Sequence, residues 1–266
     1  MELEIIEQHE NYVKFVLSGI TPTFANTLRR LIMSEVPTMA IDEVIIIENT
    51  TPLYDEIVAH RLGLLPLKTD LENYVLPTVC ECGGQGCTSC EVSLTLEVSG
   101  EKDIEIVYSN SLLSQDPKIT PVFPNIPILK MAKNQKIFLE AIARLGCGAD
   151  HAKWQPISTV SYKYYPVVQF NEKKCTYCED CVEVCPRDII KIENGKIFSQ
   201  NVINCSLCNQ CMDICETDAV SVTTTGTDFI FTVESTGALT TKEILLKALK
   251  ILNEKVDEFK VYVEEF

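Results

Sequence analysis

Thr21-Pro-Thr-Phe-Ala-Asn-Thr-Leu-Arg-Arg-Leu-Ile-Met-Ser-Glu-Val-Pro37 is the stretch that most constrains the fold of this chain. Thr21 can cap a helix, and Pro22 in the first helical position gives up only an N–H that has no partner there. Pro37 drives Val36 out of the helical region, so the helix ends before it. Phe24, Leu28, Leu31 and Ile32 recur at helical spacing, and Ala25, Leu28, Ile32 and Val36 form an adjoining stripe. The resulting apolar face is wider than one sheet needs to cover. Arg29-Arg30 adds a paired cation. Near the other end, Thr240-Thr-Lys-Glu243 is a capping box, in which hydroxyl and carboxylate satisfy each other's backbone donors. The helix it opens is expected to run to about Phe259. Leu245, Ala248, Leu249, Leu252, Val256 and Phe259 make one stripe, and Ile244, Ala248 and Ile251 a second. Pattern alone leaves two readings for this pair of helices: core elements on one sheet, or a subunit interface that uses the surplus apolar surface.

A length of 266 residues leaves room for two or three small domains with their own cores. Lys+Arg 23 against Asp+Glu 38 gives a net charge of −15, which argues against direct nucleic-acid binding as the main task. The acidic start Met-Glu-Leu-Glu-Ile-Ile-Glu lacks the basic and apolar regions of a signal peptide. No apolar run approaches the ~20 residues of a membrane span. The composition therefore reads as a cytoplasmic protein with no membrane partner. In that compartment thiols stay reduced, so the 13 cysteines point to metal ligands before disulfides.

Residues 1–20 alternate through Leu3, Ile5, Val13, Phe15 and Leu17 about a turn at His9-Glu-Asn11, a hairpin-like pair of strands. Ile41 to Glu48 is β-branched and reads as a buried strand. Asp55 to Leu67 starts as a short helix and breaks at Gly63 and Pro66. Glu91 to Ser109 alternates (Val92, Leu94, Leu96, Val98; Ile104, Ile106, Tyr108) around Ser99-Gly100 as a hairpin. Pro117 to Pro127 is extended, and Ile137 to Leu145 is amphipathic and closed by Gly146. Cys147 reads as a buried thiol. His151 and Trp154 read as packing residues, and His9, His60 and His151 show no spacing suited to acid–base or nucleophilic chemistry.

Several of these segments, in this order, resemble the α-type assembly subunits of multisubunit RNA polymerases. The likeness lies in Phe24-Ala-Asn-Thr-Leu-Arg-Arg-Leu, the strand after Pro37, Ala59-His-Arg-Leu-Gly-Leu-Leu-Pro66, Gly148-Ala-Asp-His-Ala-Lys-Trp154, and Val233-Glu-Ser-Thr-Gly-Ala-Leu239 with the helix that follows. With its extra cysteine-rich module the chain is most similar to the archaeal members of that family, those with a ferredoxin-like iron–sulfur module. The resemblance implies that the first and last helices belong to one discontinuous dimerisation domain with the remainder inserted. It further implies a heterodimer with a small α-like subunit through Phe24–Val36 and Ile244–Phe259, which docks the large catalytic subunits.

Cys80-x-Cys82-x4-Cys87-x2-Cys90 brings four thiols within eleven residues, with Gly83, Gly84 and Gly86 for tight turns. Such a set suits a tetrahedral Zn²⁺ that holds a loop too small for a core. The alternative is incidental cysteines or a disulfide. Some relatives in the resembled family carry zinc at a comparable place and others lack it.

Cys175-x2-Cys178-x2-Cys181-x3-Cys185-Pro186 is followed by Cys205-x2-Cys208-x2-Cys211-x3-Cys215. This is the bacterial ferredoxin spacing, in which the fourth cysteine of each run ligates the other run's cluster. The crossing pairs Cys175, Cys178 and Cys181 with Cys215, and Cys205, Cys208 and Cys211 with Cys185. Cys185 is followed by Pro as the motif expects, whereas Cys215 is followed by Glu216, so the second set matches better. One or two clusters, 4Fe–4S or 3Fe–4S, are expected.

Two functions compete on these residues. One is a non-catalytic assembly subunit of DNA-directed RNA polymerase, braced by an iron–sulfur module. The other is an electron-transfer subunit of an oxidoreductase complex, which accounts for the octet and for nothing else. Gly83-Gly84-Gln85-Gly86 is no GxGxxG, and no Asp triplet suited to two Mg²⁺ ions is present. The expected fold is α+β. A helix-on-sheet dimerisation domain spans 1–43 and 224–266, a mainly β insert with the 80–90 loop spans 44–169, and a ferredoxin-like module spans 170–223.

Overall fold

The computed structural model describes residues 1–264. In chain order, β1 (Glu2–His9) and β2 (Tyr12–Ser18) are sheet neighbours about the expected turn. Helix α1 (Pro22–Ser34) follows, with the Phe24 N–H donating to the Thr21 hydroxyl at 3.3 Å, the cap that Thr21 predicts. Then come β3 (Thr38–Asn49), α2 (Asp55–Gly63), β4 (Glu91–Ser99), β5 (Glu105–Tyr108) and β6 (Leu113–Ser114). Next are β7 (Pro127–Met131), β8 (Lys136–Gly146) and β9 (Ile157–Phe170). The cysteine octet is carried by α3 (Asp180–Glu183), β10 (Ile190–Glu193), β11 (Lys196–Ser199) and α4 (Gln210–Asp213) with their loops. The chain closes with β12 (Val220–Ser235) and α5 (Thr241–Glu264). Among the described residues no helix is long and apolar enough to cross a membrane.

These elements form two compact units. One comprises Met1–Gln8, Lys14–Asn26 and Ser161–Thr232. Its sheet has the order β1-β2-β12-β9. Phe15 stacks on Phe231 at 5.2 Å, and Phe229 and Phe231 receive Tyr162 at 5.6 and 5.4 Å, an aromatic ladder across three strands. A second small core, Cys181, Ile190, Ile197 and Val220, lies under the cysteine loops. The β10–β11 hairpin turns on Asn194 and Gly195, both at positive φ, as a two-residue turn that matches strand twist requires.

The other unit comprises His9–Val13, Thr27–Val160 and Val233–Phe266. Its antiparallel sheet has the order β3-β8-β4-β6. The segment closed by Gly146 is its long inner strand, with Ile137, Leu139, Ala141, Ala143 and Leu145 buried in strict alternation. Opposite them stand Leu94, Leu96, Met39, Ile41 and, from α2, Val58 and Leu62. Each fully buried aliphatic here contributes about 1.5–3 kcal/mol. Gly146 leaves room for the Trp154 ring, which a Cβ would strike. Trp154 Nε1 donates to the Arg144 carbonyl at 3.2 Å, and the His151 and Trp154 rings meet edge to face at 6.4 Å. The Gly148–Trp154 stretch is thus a packing device that clasps the end of α1, where the Ala149 N–H donates to the Ser34 carbonyl at 3.0 Å.

The structure corrects four expectations. β3 is fully buried only over Thr38–Ile41; it is an edge strand, and farther along it Val44 and Ile46 pack against the core while Ile45 and Ile47, on the other face, are exposed. β4 and β5 do not form a hairpin with each other: β4 pairs with β8 and β6, and β5 pairs with β7. In β5 the buried residue is Val107, while Ile104 lies exposed, so the alternation has the opposite phase to the one expected. Finally, α5 continues past Phe259 to Glu264, since neither Gly nor Pro stands there to stop it.

Candidate functional site

Three features carry chemistry or recognition, and each is built from local sequence. The first is α5. Its capping box forms as expected: the Thr240 N–H donates to Glu243 Oε2 at 2.8 Å and the Glu243 N–H to the Thr240 hydroxyl at 3.3 Å. Ile244 and Ala248 are buried, but the helix beyond them is not. Leu249, Leu252, Val256, Phe259 and Val263 follow a heptad rhythm, and Leu249, Val256, Phe259 and Val263 are 41, 46, 67 and 52% exposed. The wide face of α1 behaves otherwise. Ala25, Leu28, Leu31, Ile32 and Val36 are buried within the chain itself, with Leu28 at 4%. Of the two segments expected at an interface, α1 is mostly core and α5 is mostly free surface.

The second feature is the loop of Cys80, Cys82, Cys87 and Cys90, whose sulfurs all lie within 4.8 Å of one another. Four of the separations are 3.4–3.7 Å. Thiolates on the ~2.3 Å bonds of tetrahedral zinc stand about 3.8 Å apart, so the donor set fits that ion with little movement. Gly83, Gly84 and Gly86 all take positive φ, the conformation that folds so short a loop back on itself. The hydrogen bond shared with Cys80 brings the Cys82 thiol down to about 6, whereas burial pushes Cys90 up to about 12. At the root of the loop, Glu91 is held by the Arg144 guanidinium, which also reaches Glu43 at 2.8 Å. Neither the brace nor its partners stand out in the sequence, because they meet only through the β3–β8–β4 register.

The third feature is the octet. The two runs repeat with an offset of 30 residues, and so does the backbone. Tyr177, Glu179 and Asp188 take positive φ, and so do Leu207, Asn209 and Asp218. Left-handed conformations at bulky Tyr and Leu are costly, on the order of 1 kcal/mol each, and persist where the surroundings dictate them. Cys175, Cys178, Cys181 and Cys215 line one cavity of about 170 Å³. Burial, followed by the neighbouring Cys175, Cys178 and Cys215, pushes the Cys181 thiol up. In the second set Cys211 is pushed up to about 11 by burial and then by Cys185, Cys205 and Cys208. Cys215 thus shares a cavity with the three leading cysteines of the first run, and Cys185 lies near enough to Cys211 to act on it. Soft thiolates in two such groups fit iron–sulfur clusters. Cys147 stands apart, half-buried, with its thiol donating to the Glu35 carbonyl at 3.5 Å.

A further group has no signature in the sequence. Lys163, from β9, donates its ammonium to the carbonyls of Ile203 and Cys205, each at 2.7 Å. The partners lie some forty residues further along the chain, so no local signal points to it.

Comparison with known proteins bears on the whole chain. The family described as the RNA polymerase Rpb3/Rpb11 dimerisation domain matches residues 14–256. A protein of Archaeoglobus fulgidus named DNA-directed RNA polymerase subunit Rpo3 is 46% identical over 99% of this chain and 98% of its own. Proteins of the same name from Methanosphaera stadtmanae and Pyrobaculum arsenaticum are 41 and 39% identical, over 100 and 97% of this chain and 99 and 94% of theirs. The chain belongs to the RNA polymerase Rpb3/Rpb11 dimerisation family.

Proposed function

We propose that this chain is the Rpo3-type assembly subunit of an archaeal, cytoplasmic DNA-directed RNA polymerase. It is non-catalytic itself, pairs with a small α-like subunit and presents the pair to the large catalytic subunits. The observation that carries this reading is the exposed heptad seam of α5, in a chain whose family is described as a dimerisation domain. A seam of this kind, solvated on its own, has the rhythm that a second helix fills with knobs-into-holes packing. The functional division that follows is a dimerisation domain of 1–43 with 224–266, an insert of 44–169, and an iron–sulfur module of 170–223.

In the module, Cys185, Cys205, Cys208 and Cys211 hold one cluster and Cys175, Cys178, Cys181 and Cys215 the other, while Cys80, Cys82, Cys87 and Cys90 hold zinc. When bound, each cluster supplies four metal–thiolate bonds and capacity for one electron. The chain's own contribution is to turn its cysteine loops inward on left-handed residues and to cross the fourth ligands, so that neither run closes without the other. An electron-transfer subunit is the weaker reading, since the relatives named as polymerase subunits align over nearly the whole chain and the family match extends from before α1 into α5.

The test is co-expression with the small α-like subunit of the same cell, followed by gel filtration. Leu249→Asp combined with Phe259→Asp should weaken the pair at least 100-fold, on the order of what loss of a buried apolar cluster at an interface does. The free chain should keep its thermal midpoint, because both side chains are exposed. Unchanged co-elution of the double variant would remove α5 from the interface.

A further inference from the structure

The two cysteine sites are not equivalent in charge. Between the second and third cysteines the first run carries Glu179-Asp180, and the second run carries Asn209-Gln210. After the crossed fourth ligand the difference repeats. Cys215, which joins the first site, is followed by Glu216-Thr217; Cys185, which joins the second, is followed by Pro186-Arg187. The cavity of the first site is lined by Glu179, Asp180 and Glu216 and, among the described residues, by no cationic side chain. Beside the second site, Lys14, Lys163 and Arg187 surround one pocket with Pro186, Asp188 and Asn204. Lys163 is pinned there by the carbonyls of Ile203 and Cys205, the latter a member of the second cysteine set. Three groups act in the other direction: Lys173 and Lys174, exposed just before Cys175; Asp188 within the basic pocket; and Asp213, whose carboxylate acts on Cys208 of the second site.

We infer that the two sites are made electrostatically unequal by these residues. The Cys185, Cys205, Cys208 and Cys211 site, backed by Lys163, Arg187 and Lys14, holds its cluster at the higher reduction potential. The site flanked by Glu179, Asp180 and Glu216 holds its cluster at the lower one. The inference rests on reading the octet as two iron–sulfur sites. Reduction adds one electron to a group already anionic through its four thiolates. A nearby ammonium or guanidinium stabilises the reduced form more than the oxidised form, and a nearby carboxylate does the opposite. Lys163 is decisive because its position is fixed, where an exposed side chain would be screened by solvent and salt. It is a positioning charge and is not a ligand.

The test is an anaerobic redox titration of the full chain with its small partner, both cysteine sites loaded. Dithionite serves as one-electron donor, and reduction is followed by electron paramagnetic resonance. No bond is made or broken in the step; one electron passes from dithionite to the cluster. Lys163→Met should move only the higher wave, downward, and Lys163→Arg should leave it close to its original place. Glu179→Asn with Asp180→Gln, which copies the second run into the first, should move only the lower wave, upward. The positions of that exchange are exposed, and Asn suits the positive φ at 179 better than Glu, so folding is not at risk. Full iron and sulfide content with neither wave moved by these variants would overturn the charge asymmetry and leave the cluster assignment standing. Absence of iron and sulfide from cluster-replete wild-type protein would overturn both.

Discussion

At the scale of the residue, burial separates positions that the sequence pattern treats alike. Leu28 and Leu249 both sit on apolar stripes of amphipathic helices, yet Leu28 is 4% exposed and Leu249 41%. Leu28→Asp places a carboxylate in a closed apolar site and should cost on the order of 4 kcal/mol or more, which takes a marginally stable chain most of the way to unfolding. Circular dichroism of the isolated chain should show lost helix signal for Leu28→Asp and a native spectrum for Leu249→Asp. A native Leu28→Asp spectrum would mean that α1 is held more loosely than its burial implies. The sequence makes the stripes legible, but which of them another part of the same chain covers depends on contacts distant in sequence. The cysteine octet is the opposite case, because ligand spacing is a local property that can be read without the fold. Lys163 is illegible for the same reason as the burial of Leu28, since its partners at Ile203 and Cys205 are brought to it by the fold alone.

At the scale of the element, the cysteine loop at 80–90 is an appendage on a strand that is already secured. β4 is paired along its length with β8, from Glu91↔Arg144 to Ser99↔Lys136, so the sheet does not need the loop to hold its register. Cys87→Ser, or removal of metal by a chelator, should therefore drop bound zinc from about one equivalent toward zero and expose residues 80–90 to protease. The thermal midpoint of the rest of the chain should stay nearly unchanged. Metal analysis joined to limited proteolysis checks this, and loss of the whole fold on chelation would contradict it. Element types at 2–18, 22–34 and 55–63 and the start of α5 are legible because capping residues, prolines and alternation all act within a few positions. Strand pairing is not. Ser99-Gly100 has the look of a hairpin turn, but β8 offers β4 a longer run of apolar partners, and that gain outweighs the local turn signal. The Asn194-Gly195 turn is a strong local signal of its own, masked by the cysteines on either side of it.

At the scale of the whole molecule, three features share one requirement, a partner outside the chain. A charge of −15 suits protein surfaces better than DNA. The α5 seam carries a heptad rhythm with nothing of the described chain beyond Leu252 to fill it. The cysteine module adds two four-cysteine runs to a unit that has an aromatic sheet core of its own. A polymerase assembly subunit unites these features, and an electron carrier leaves the seam without purpose. The most direct measurement is anaerobic affinity purification of the tagged chain from its native cell, with the co-purifying proteins identified by mass spectrometry. Recovery of a small α-like subunit together with the large polymerase subunits is the expected result. Recovery of flavin- or thiamine-dependent oxidoreductase subunits in their place would contradict the account.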